Sequence, residues 1–567
     1  MDDLIFRRNL LALSARSPAL GEKLMEAVSD PRLVLEKARS GLAVPVLRLP
    51  GREIAFHSLV DPAREAERLV GASATGGFIV ALGLGAAYAI KASLAEAGTS
   101  AVLAVEYSAP LLRALLEALD LSEVFLDPRF SLLLDPKPAE LEAAILSRYI
   151  PPISGDIRTL PLRARTDLDQ ASFQAAAETL RSVLGRISDD YSVQAFFGKL
   201  WFRNAVRNLF ASERPSPPLT PIRRAVVTAA GPSLEEGIDA VVRAKREGAF
   251  LIATDTSLPA LLGRDILPSA VISIDCQTIS YYHFLKGLPP DLPLVLDLAS
   301  PNRLARLTDC LRFFSSGHPF CTYVSSHYRP FPRLDTSGGN VTHAALSLAE
   351  TLGASSCLLV GADFSYPEGK SYARGTYIYD YFDELATRLA PMESQFAAFV
   401  RRNPSLSREE DRTAEGRDYY RYVTKPLMAY HEHLKRFIER SPMDVTPLRG
   451  KGVAIATRTG KATGAARREG ERILFAAGRA SESASSFLGR YAKGLAALPE
   501  PRGSASTYLS SLDPKERDLW TTLLPSAAAL QRTAGGQTGD PAGLLSETRS
   551  WALLEIDEAL ETRRELV

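Results

Sequence analysis

The chain has 567 residues and a mass of 61.6 kDa, more than one hydrophobic core usually supports, and at about 150 residues per domain it should hold several domains. Its 46% hydrophobic and 23% charged residues exclude collagen-like, disordered and disulfide-scaffold classes. A formal charge of +1, from 67 basic and 66 acidic residues, creates no whole-molecule field toward nucleic acid or an anionic membrane.

The start, Met1 to Arg8, places Asp2 and Asp3 ahead of Arg7 and Arg8 and lacks the apolar core of a signal peptide. The best apolar stretch, Phe78 to Ile90, is about 13 residues with Gly83 and Gly85 inside it, short of the roughly 20 a membrane span needs. Cys276, Cys310, Cys321 and Cys357 form no CxxC pair and are read as reduced thiols. A cytoplasmic protein is expected.

Residues 1–65 read as an N-terminal α+β segment, ending in the strand-like run Gly51 to Ser58. Asp61-Pro62 then supplies an N-cap and a first-turn proline. Residues 66–210 alternate strands at Phe78–Leu82 and Ala101–Val105 with helices through Leu94 and over Leu111–Leu119, a βαβ pattern of a Rossmann-like parallel sheet. A helical stretch from Ala171 to Phe210 carries Trp201, Asn204 and Asn208 into Ser212–Pro221, whose four prolines mark a linker. Residues 222–450 restart the alternation, with strands at Ala225–Thr228, Phe250–Ala253, Ala270–Ile274, Leu294–Leu296 and Cys357–Val360. A helix over Val341–Leu352 closes on Gly353. Residues 451–567 read as a helical C-terminal domain. The fold class is α/β.

Two glycine loops follow strands and open helices. Gly83-Leu-Gly85, with Glu106 ending the next strand, has the layout of a nucleotide loop and its ribose-binding acid, but Tyr88 occupies the last glycine of GxGxxG. A ligand-free structural loop is the favoured reading over a working cofactor site. The second, Ala229-Ala-Gly231-Pro232-Ser233-Leu234, offers N–H groups and a helix dipole to a phosphate. Alternatively, Ser233 and Glu236 form a capping box that serves only the helix start. Asp255, Asp275 and Asp363 end three further strands, and strand ends of one parallel sheet share a crevice. The turn Thr336-Ser337-Gly338-Gly339-Asn340 can supply hydroxyls and N–H donors to an anion, or cap its helix. Tyr366 and Tyr372 stand on an irregular loop where a phenol can donate to a departing phosphate without a metal.

Gly231-Pro-Ser-Leu234, Ser337-Gly-Gly-Asn340 and Gly361-Ala-Asp-Phe364 resemble the central domain of Maf proteins, the motility-associated factors that glycosylate flagellin. His57-Ser58 with Asp61-Pro62 and Glu65-Ala66, the Gly83 block, and Trp201 with Asn204 and Asn208 resemble the same family's N-terminal half. The central domain is also similar to bacterial sialyltransferases of a GT-A-related fold, whose Thr-Ser-Gly turn matches Thr336–Gly338 and whose two phosphate-binding tyrosines match Tyr366 and Tyr372. There are departures. Ala230, Asp255 and Asp275 stand where those enzymes carry asparagines, their arginine is displaced to Arg333, and their catalytic histidine falls near Tyr422. Asp418, His431 and His433 are the substitutes in that neighbourhood. No metal-binding DxD ends a strand, since Asp167-Leu-Asp169 lies in a helical stretch.

The resemblance implies a glycosyltransferase that moves a pseudaminic- or legionaminic-type nonulosonic acid from a CMP donor, with no further cofactor, to flagellin Ser or Thr hydroxyls. It implies donor contacts from Gly231, Pro232, Ser233, Asp255, Asp275, Thr336, Ser337, Gly338, Gly339 and Asn340, and catalysis by Tyr366, Tyr372 and Asp363 without a metal. The helical C-terminal block is then the expected docking place for flagellin. Two other functions fit the residues: a transferase like the hydroxymethylpterin diphosphokinases, using ATP and Mg²⁺, and a non-catalytic flagellin-binding factor.

Overall fold

The computed structural model describes residues 3–71, 77–214, 218–412, 416–455, 480–502, 508–509, 511–533 and 541–565. The chain divides into two units, one of Met1–Gly198, Ala497–Trp520 and Leu524–Trp551, the other of Lys199–Ala496, Thr521–Leu523 and Ala552–Val567.

In the first unit, helices Asp3–Ser14 and Pro18–Glu26 precede an antiparallel meander of β1 (Leu33–Lys37), β2 (Ala43–Leu49) and β3 (Arg52–Ala55). Asp61 Oδ1 accepts the Arg64 amide at 3.1 Å where Pro62 opens helix Pro62–Gly71, as the Asp-Pro pair predicts. A parallel sheet follows, formed by β4 (Gly77–Leu82), β5 (Thr99–Glu106), β6 (Phe130–Leu134) and β7 (Ile157–Pro161) in the order β6-β5-β4-β7. Alternate residues of the central strands face opposite layers. Ile79, Ala81, Val102 and Ala104 pack with Phe6, Leu24 and Leu112, and Phe78, Val80, Leu103 and Val105 pack with Leu141, Phe173 and Leu180. Burial on both sides makes β4 and β5 continuous apolar runs, which is why they were legible. The sequence reading missed β6 and β7, the two edges: β6 buries one face, through Phe130, Leu132 and Leu134, and β7 has no fully buried residue.

The 43-residue helix Gln170–Ser212 carries the chain out of this unit. The second unit is built on β8 (Arg224–Thr228), β9 (Phe250–Thr254), β10 (Ala270–Ser273), β11 (Leu294–Asp297), β12 (Leu311–Phe314), β13 (Ser356–Val360), β14 (Tyr366–Pro367), β15 (Ser407–Arg412), β16 (Asp418–Val423) and β17 (Asp444–Pro447). Seven of these form a parallel sheet in the order β12-β11-β10-β9-β8-β13-β17, while β14, β16 and β15 form a small antiparallel sheet. Helix Val341–Thr351 has alanines at 344, 345 and 349 and is buried through nearly its whole length against the parallel sheet, next to Val227, Ile252 and Leu359. Gly353, at φ +90°, ends it in the left-handed conformation a helix C-terminus favours.

The described residues after 480 are helical at Ala484–Ala497, Pro514–Thr533 and Pro541–Glu565. These helices are shared between the two units rather than forming a body of their own. Trp520, Leu544, Leu545 and Ile556 are buried. Among the described residues, no helix is long and apolar enough to cross a membrane.

Candidate functional site

The chain runs outward from β8 to β12 and then returns to β13 on the opposite side of β8. That reversal leaves a crevice outside the carboxyl ends of β8 and β13. On its floor the Gly231 N–H donates to Gly361 O at 2.8 Å, and the Ser233 N–H donates to Asp363 Oδ2 at 2.8 Å. A Cβ at position 231 would lie 2.3 Å from that carboxylate and 2.5 Å from Gly361 O, so only glycine lets the two loops close. Asp363 is buried, which pushes its carboxyl up, while the Ser233 N–H works in the opposite direction. The start of helix Ser233–Arg246 therefore already holds an anion, the protein's own Asp363. Pro232 is the N-cap and makes no side-chain cap, so the capping box expected of Ser233 and Glu236 is not formed.

The two acids at the ends of β9 and β10 meet. Asp255 Oδ2 accepts from Ser273 Oγ at 2.6 Å, and its Oδ1 accepts from Thr256 N at 2.6 Å and Thr256 Oγ1 at 3.0 Å. Asp275 Oδ1 accepts the Gln277 amide at 2.8 Å, and burial, with Asp255 adding to it, pushes the Asp275 carboxyl up. Tyr372 joins this cluster. Burial raises its phenol well above the usual range, and Tyr377, Tyr366, Asp255 and Tyr430 all act in the same direction. Burial raises Tyr366 too. Both phenols are thus protonated hydrogen-bond donors at neutral pH. Their loop is tied down by the Ala373 N–H on Ala230 O at 2.8 Å and by Lys370 Nζ on Glu235 at 2.7 Å. Phe364 and Glu368 adopt positive φ of 47° and 53° within it, a strained conformation of the kind that clusters at functional sites.

The turn from Thr336 to Asn340 approaches the same place through Tyr430, since a Cβ on Gly339 would lie 3.0 Å from Tyr430 Cε1. Asn340 is the N-cap of helix Val341–Thr351: its Oδ1 accepts the His343 amide at 3.0 Å and its Nδ2 donates to Gly338 O at 3.0 Å. The His343 ring fills the space a Gly338 side chain would need, with Nδ1 2.2 Å from the Cβ position, and its Nε2 lies 3.2 Å from Asp335 Oδ2. Ser337 is exposed and Thr336 half-buried, which leaves both hydroxyls reachable.

Sequence reasoning missed Tyr377, Tyr430 and His283. The His283 ring meets Tyr377 edge-on at 4.8 Å, and both are electrostatically coupled to Asp275. Nothing in their local sequence marks them, because a 3₁₀ turn and two separate helices bring them in. The substitutes weighed for the missing histidine lie apart from one another. Asp418 is exposed at the far end of the β15–β16 hairpin, paired with Arg412 at 2.6 Å. His431 is buried, with Nε2 3.1 Å from Ala454 O. His433 is exposed, on the helix Lys425–Arg440. Tyr422, where the histidine was expected, pairs directly with Tyr366 across β14 and β16. Trp201, Asn204 and Asn208 anchor their helix: Trp201 stacks on His318 at 4.0 Å, and Asn204 and Asn208 donate to carbonyls of Cys276, Leu298, Ala299 and Ser300.

The Gly83–Gly85 loop in the first unit is filled by the protein itself. Glu106, the acid placed for ribose hydroxyls, is fully buried in an ion pair with Arg165. A Cβ on Gly83 would lie 2.7 Å from Arg165 Cβ, and one on Gly85 would lie 2.5 Å from His57 Nε2. That nitrogen accepts the Ala86 amide at 2.8 Å, and burial pushes the His57 imidazole down to about 4.

Residues 203–369, which span every part of the crevice up to Tyr366, match the family model of 6-hydroxymethylpterin diphosphokinase MptE-like proteins. Three uncharacterized proteins of Treponema pallidum (strain Nichols) are similar to the chain. One is 42% identical over 19% of this chain and 38% of its own length, a second 34% over 29% and 78%, and a third 25% over 41% and 51%. The first and third are thus matched over about half their length or less. With 78% of it covered at 34% identity, the second shows the family, and the chain belongs to the family of that protein. Among solved structures, the Maf glycosyltransferase of Magnetospirillum magneticum AMB-1 superposes with a TM-score of 0.58 at 14% identity, over 99% of this chain and 97% of that one. The chain has that fold from end to end.

Proposed function

We propose that the protein is a glycosyltransferase that moves a nonulosonic acid, of pseudaminic or legionaminic type, from its CMP-activated form onto Ser or Thr hydroxyls of flagellin in the cytoplasm, and so serves flagellum assembly and motility. The observation that carries this reading is the pair of half-buried phenols, Tyr366 and Tyr372, kept protonated by their surroundings, with Tyr372 coupled to both Tyr366 and Asp255. A leaving phosphate needs donors that strengthen as its charge develops, and two phenolic O–H groups held on one loop supply them. The acceptor oxygen bonds to the anomeric carbon, the bond from that carbon to the phosphate oxygen breaks, and CMP departs with the electron pair. Asp275, whose carboxyl burial makes more basic, stands in the same crevice to take the hydroxyl proton. Asp255 is held by Ser273 and Thr256 as an acceptor for donor hydroxyls. Thr336, Ser337 and the N-terminal end of helix Val341–Thr351, whose His343 amide is already held by Asn340, are the groups offered to the anionic sugar or phosphate.

Intact mass spectrometry of flagellin coexpressed with the protein and a nonulosonic acid pathway tests this. A sugar-sized increment, lost in a Ser337→Ala, Tyr372→Phe double variant, is the expected result. No increment, together with no CMP binding by the purified protein, overturns it. The match over residues 203–369 favours a second reading, transfer of a diphosphate group from ATP to the hydroxyl of a hydroxymethylpterin with release of AMP, which predicts that ATP with Mg²⁺ rather than CMP titrates the crevice.

A further inference from the structure

A groove of about 520 Å³ opens beside the crevice, lined by Ile279, Tyr282, Leu285, Tyr377, Tyr381 and Phe382 among others. Its two walls start at the crevice. The 3₁₀ segment Thr278–Phe284 follows directly on Asp275 and Gln277, and helix Tyr377–Leu385 follows the Tyr372 loop. Tyr377 belongs to both places: it is coupled to Asp255 and Asp275 on one side, and its ring lies parallel to that of Tyr282 at 6.1 Å on the other. Leu285 is 64% exposed, Tyr381 57% and Tyr282 50%, with Ile279 and Leu385 also open to solvent. A continuous exposed patch of this kind marks an interaction surface.

The charges at the groove are balanced. Lys286 is paired with Asp380 at 2.9 Å, and Glu384 and Arg402 contribute one charge of each sign. A nucleotide or nucleic acid would need an excess of basic groups, and a second donor molecule therefore does not match this lining. An apolar stretch of polypeptide does. We infer that this groove docks the acceptor polypeptide, taking apolar side chains that flank the hydroxyl residue and leading that hydroxyl past Tyr377 and His283 to Asp275. The inference rests on the transferase reading for what happens at the crevice, while the docking itself is tested separately.

The test uses the full chain with purified flagellin as the probe. Leu285→Asp and Tyr381→Asp each place a charge in the groove and leave the crevice residues untouched. The expected result is a KM for flagellin raised roughly tenfold or more, with kcat and CMP affinity unchanged. A photo-crosslinking residue at 381 is expected to capture flagellin, whereas one at Arg243, beside Arg224 and Ser356 at the amino ends of β8 and β13, does not. Unchanged KM in both variants with no capture from 381 overturns the docking proposal and leaves the transferase standing. Capture from 381 without any transfer by the unsubstituted protein overturns the transferase and leaves the docking site. A dimer of the protein alone that Leu285→Asp dissolves assigns the groove to a second copy and overturns the proposal.

Discussion

His57 shows how a single residue can be legible in the sequence while its role is not. The run His57-Ser58 with Asp61-Pro62 and Glu65 is visible as a motif, but the imidazole is spent on the Ala86 amide and on filling the space over Gly85. Burial depresses its folded value to about 4 from an ordinary 6.5. Between those values the unfolded chain binds the proton and the folded chain does not, so stability is fully present above pH 6.5 and falls as pH drops toward 4. The loss over that window is on the order of 3 kcal/mol, at about 1.4 kcal/mol per pH unit. Urea midpoints of the protein and a His57→Gln variant, measured from pH 7 to pH 4.5, should diverge, with the variant flatter in pH; parallel curves would refute the assignment. The same lesson holds for Glu106 and Asp363. Each was placed correctly at a strand end, and each turned out to be committed to a protein partner, Arg165 or the Ser233 amide, that lies far away in the chain.

At the scale of elements, the turn from Thr336 to Asn340 admits two readings from sequence, helix cap or anion site, and the structure shows the cap in place. Asn340 Oδ1 satisfies the His343 amide, while the Thr336 and Ser337 hydroxyls remain accessible. The two roles separate by substitution. Asn340→Ala should cost about 1 kcal/mol of stability, and Asn340→Asp should restore part of it, because a carboxylate caps the His343 amide but cannot donate to Gly338 O as the amide nitrogen does. If the turn also faces the donor's anionic group, Asn340→Asp should weaken CMP-donor binding by like-charge repulsion although it is more stable than Asn340→Ala. Denaturation curves and donor titrations on the two variants check this, and an aspartate variant with unaltered donor affinity would leave the turn as a cap only. The strands read correctly were the apolar runs of the two parallel sheets, β4, β5, β8, β9, β10, β11 and β13, together with the half-exposed β3 inside the run Gly51 to Ser58. Those missed include the sheet edges β6, β7, β12 and β17 and the small sheet that carries Tyr366: β15 and β16 are largely exposed or half-buried and show little pattern, while β12 is buried throughout but its short run is interrupted by Arg312.

For the whole molecule, the C-terminal helices are part of the packing of both units. In the first unit, Tyr191 Oη donates to Gln531 Oε1 at 2.6 Å, Arg532 lies 4.0 Å from the Phe196 ring centroid, and Gly198 lies so close to Pro525 O that a Cβ would be 1.8 Å from it. In the second unit, Glu555 pairs with Arg203. A chain ended after residue 455 should therefore lose its thermal transition in part and become open to proteolysis around residues 191–198, and loss of flagellin modification on such a truncation would report unfolding. An unchanged melting curve and an unchanged protease pattern would show that these contacts contribute little. Sequence by itself determined the α/β class, the central strands and the chemical types at the strand ends, because local periodicity and apolar runs are set by which faces are buried. Tertiary structure alone decided which of those residues share a site. Strand order placed Asp255 beside Asp275, a separate small sheet positioned Tyr366, the loop after it tied to Ala230 and Glu235 positioned Tyr372, helices apart in the chain added Tyr377 and Tyr430, and the Gly83 loop was closed by Arg165 and His57. Contacts between residues from about twenty to more than a hundred positions apart leave no periodic trace in the chain, and those contacts make the crevice.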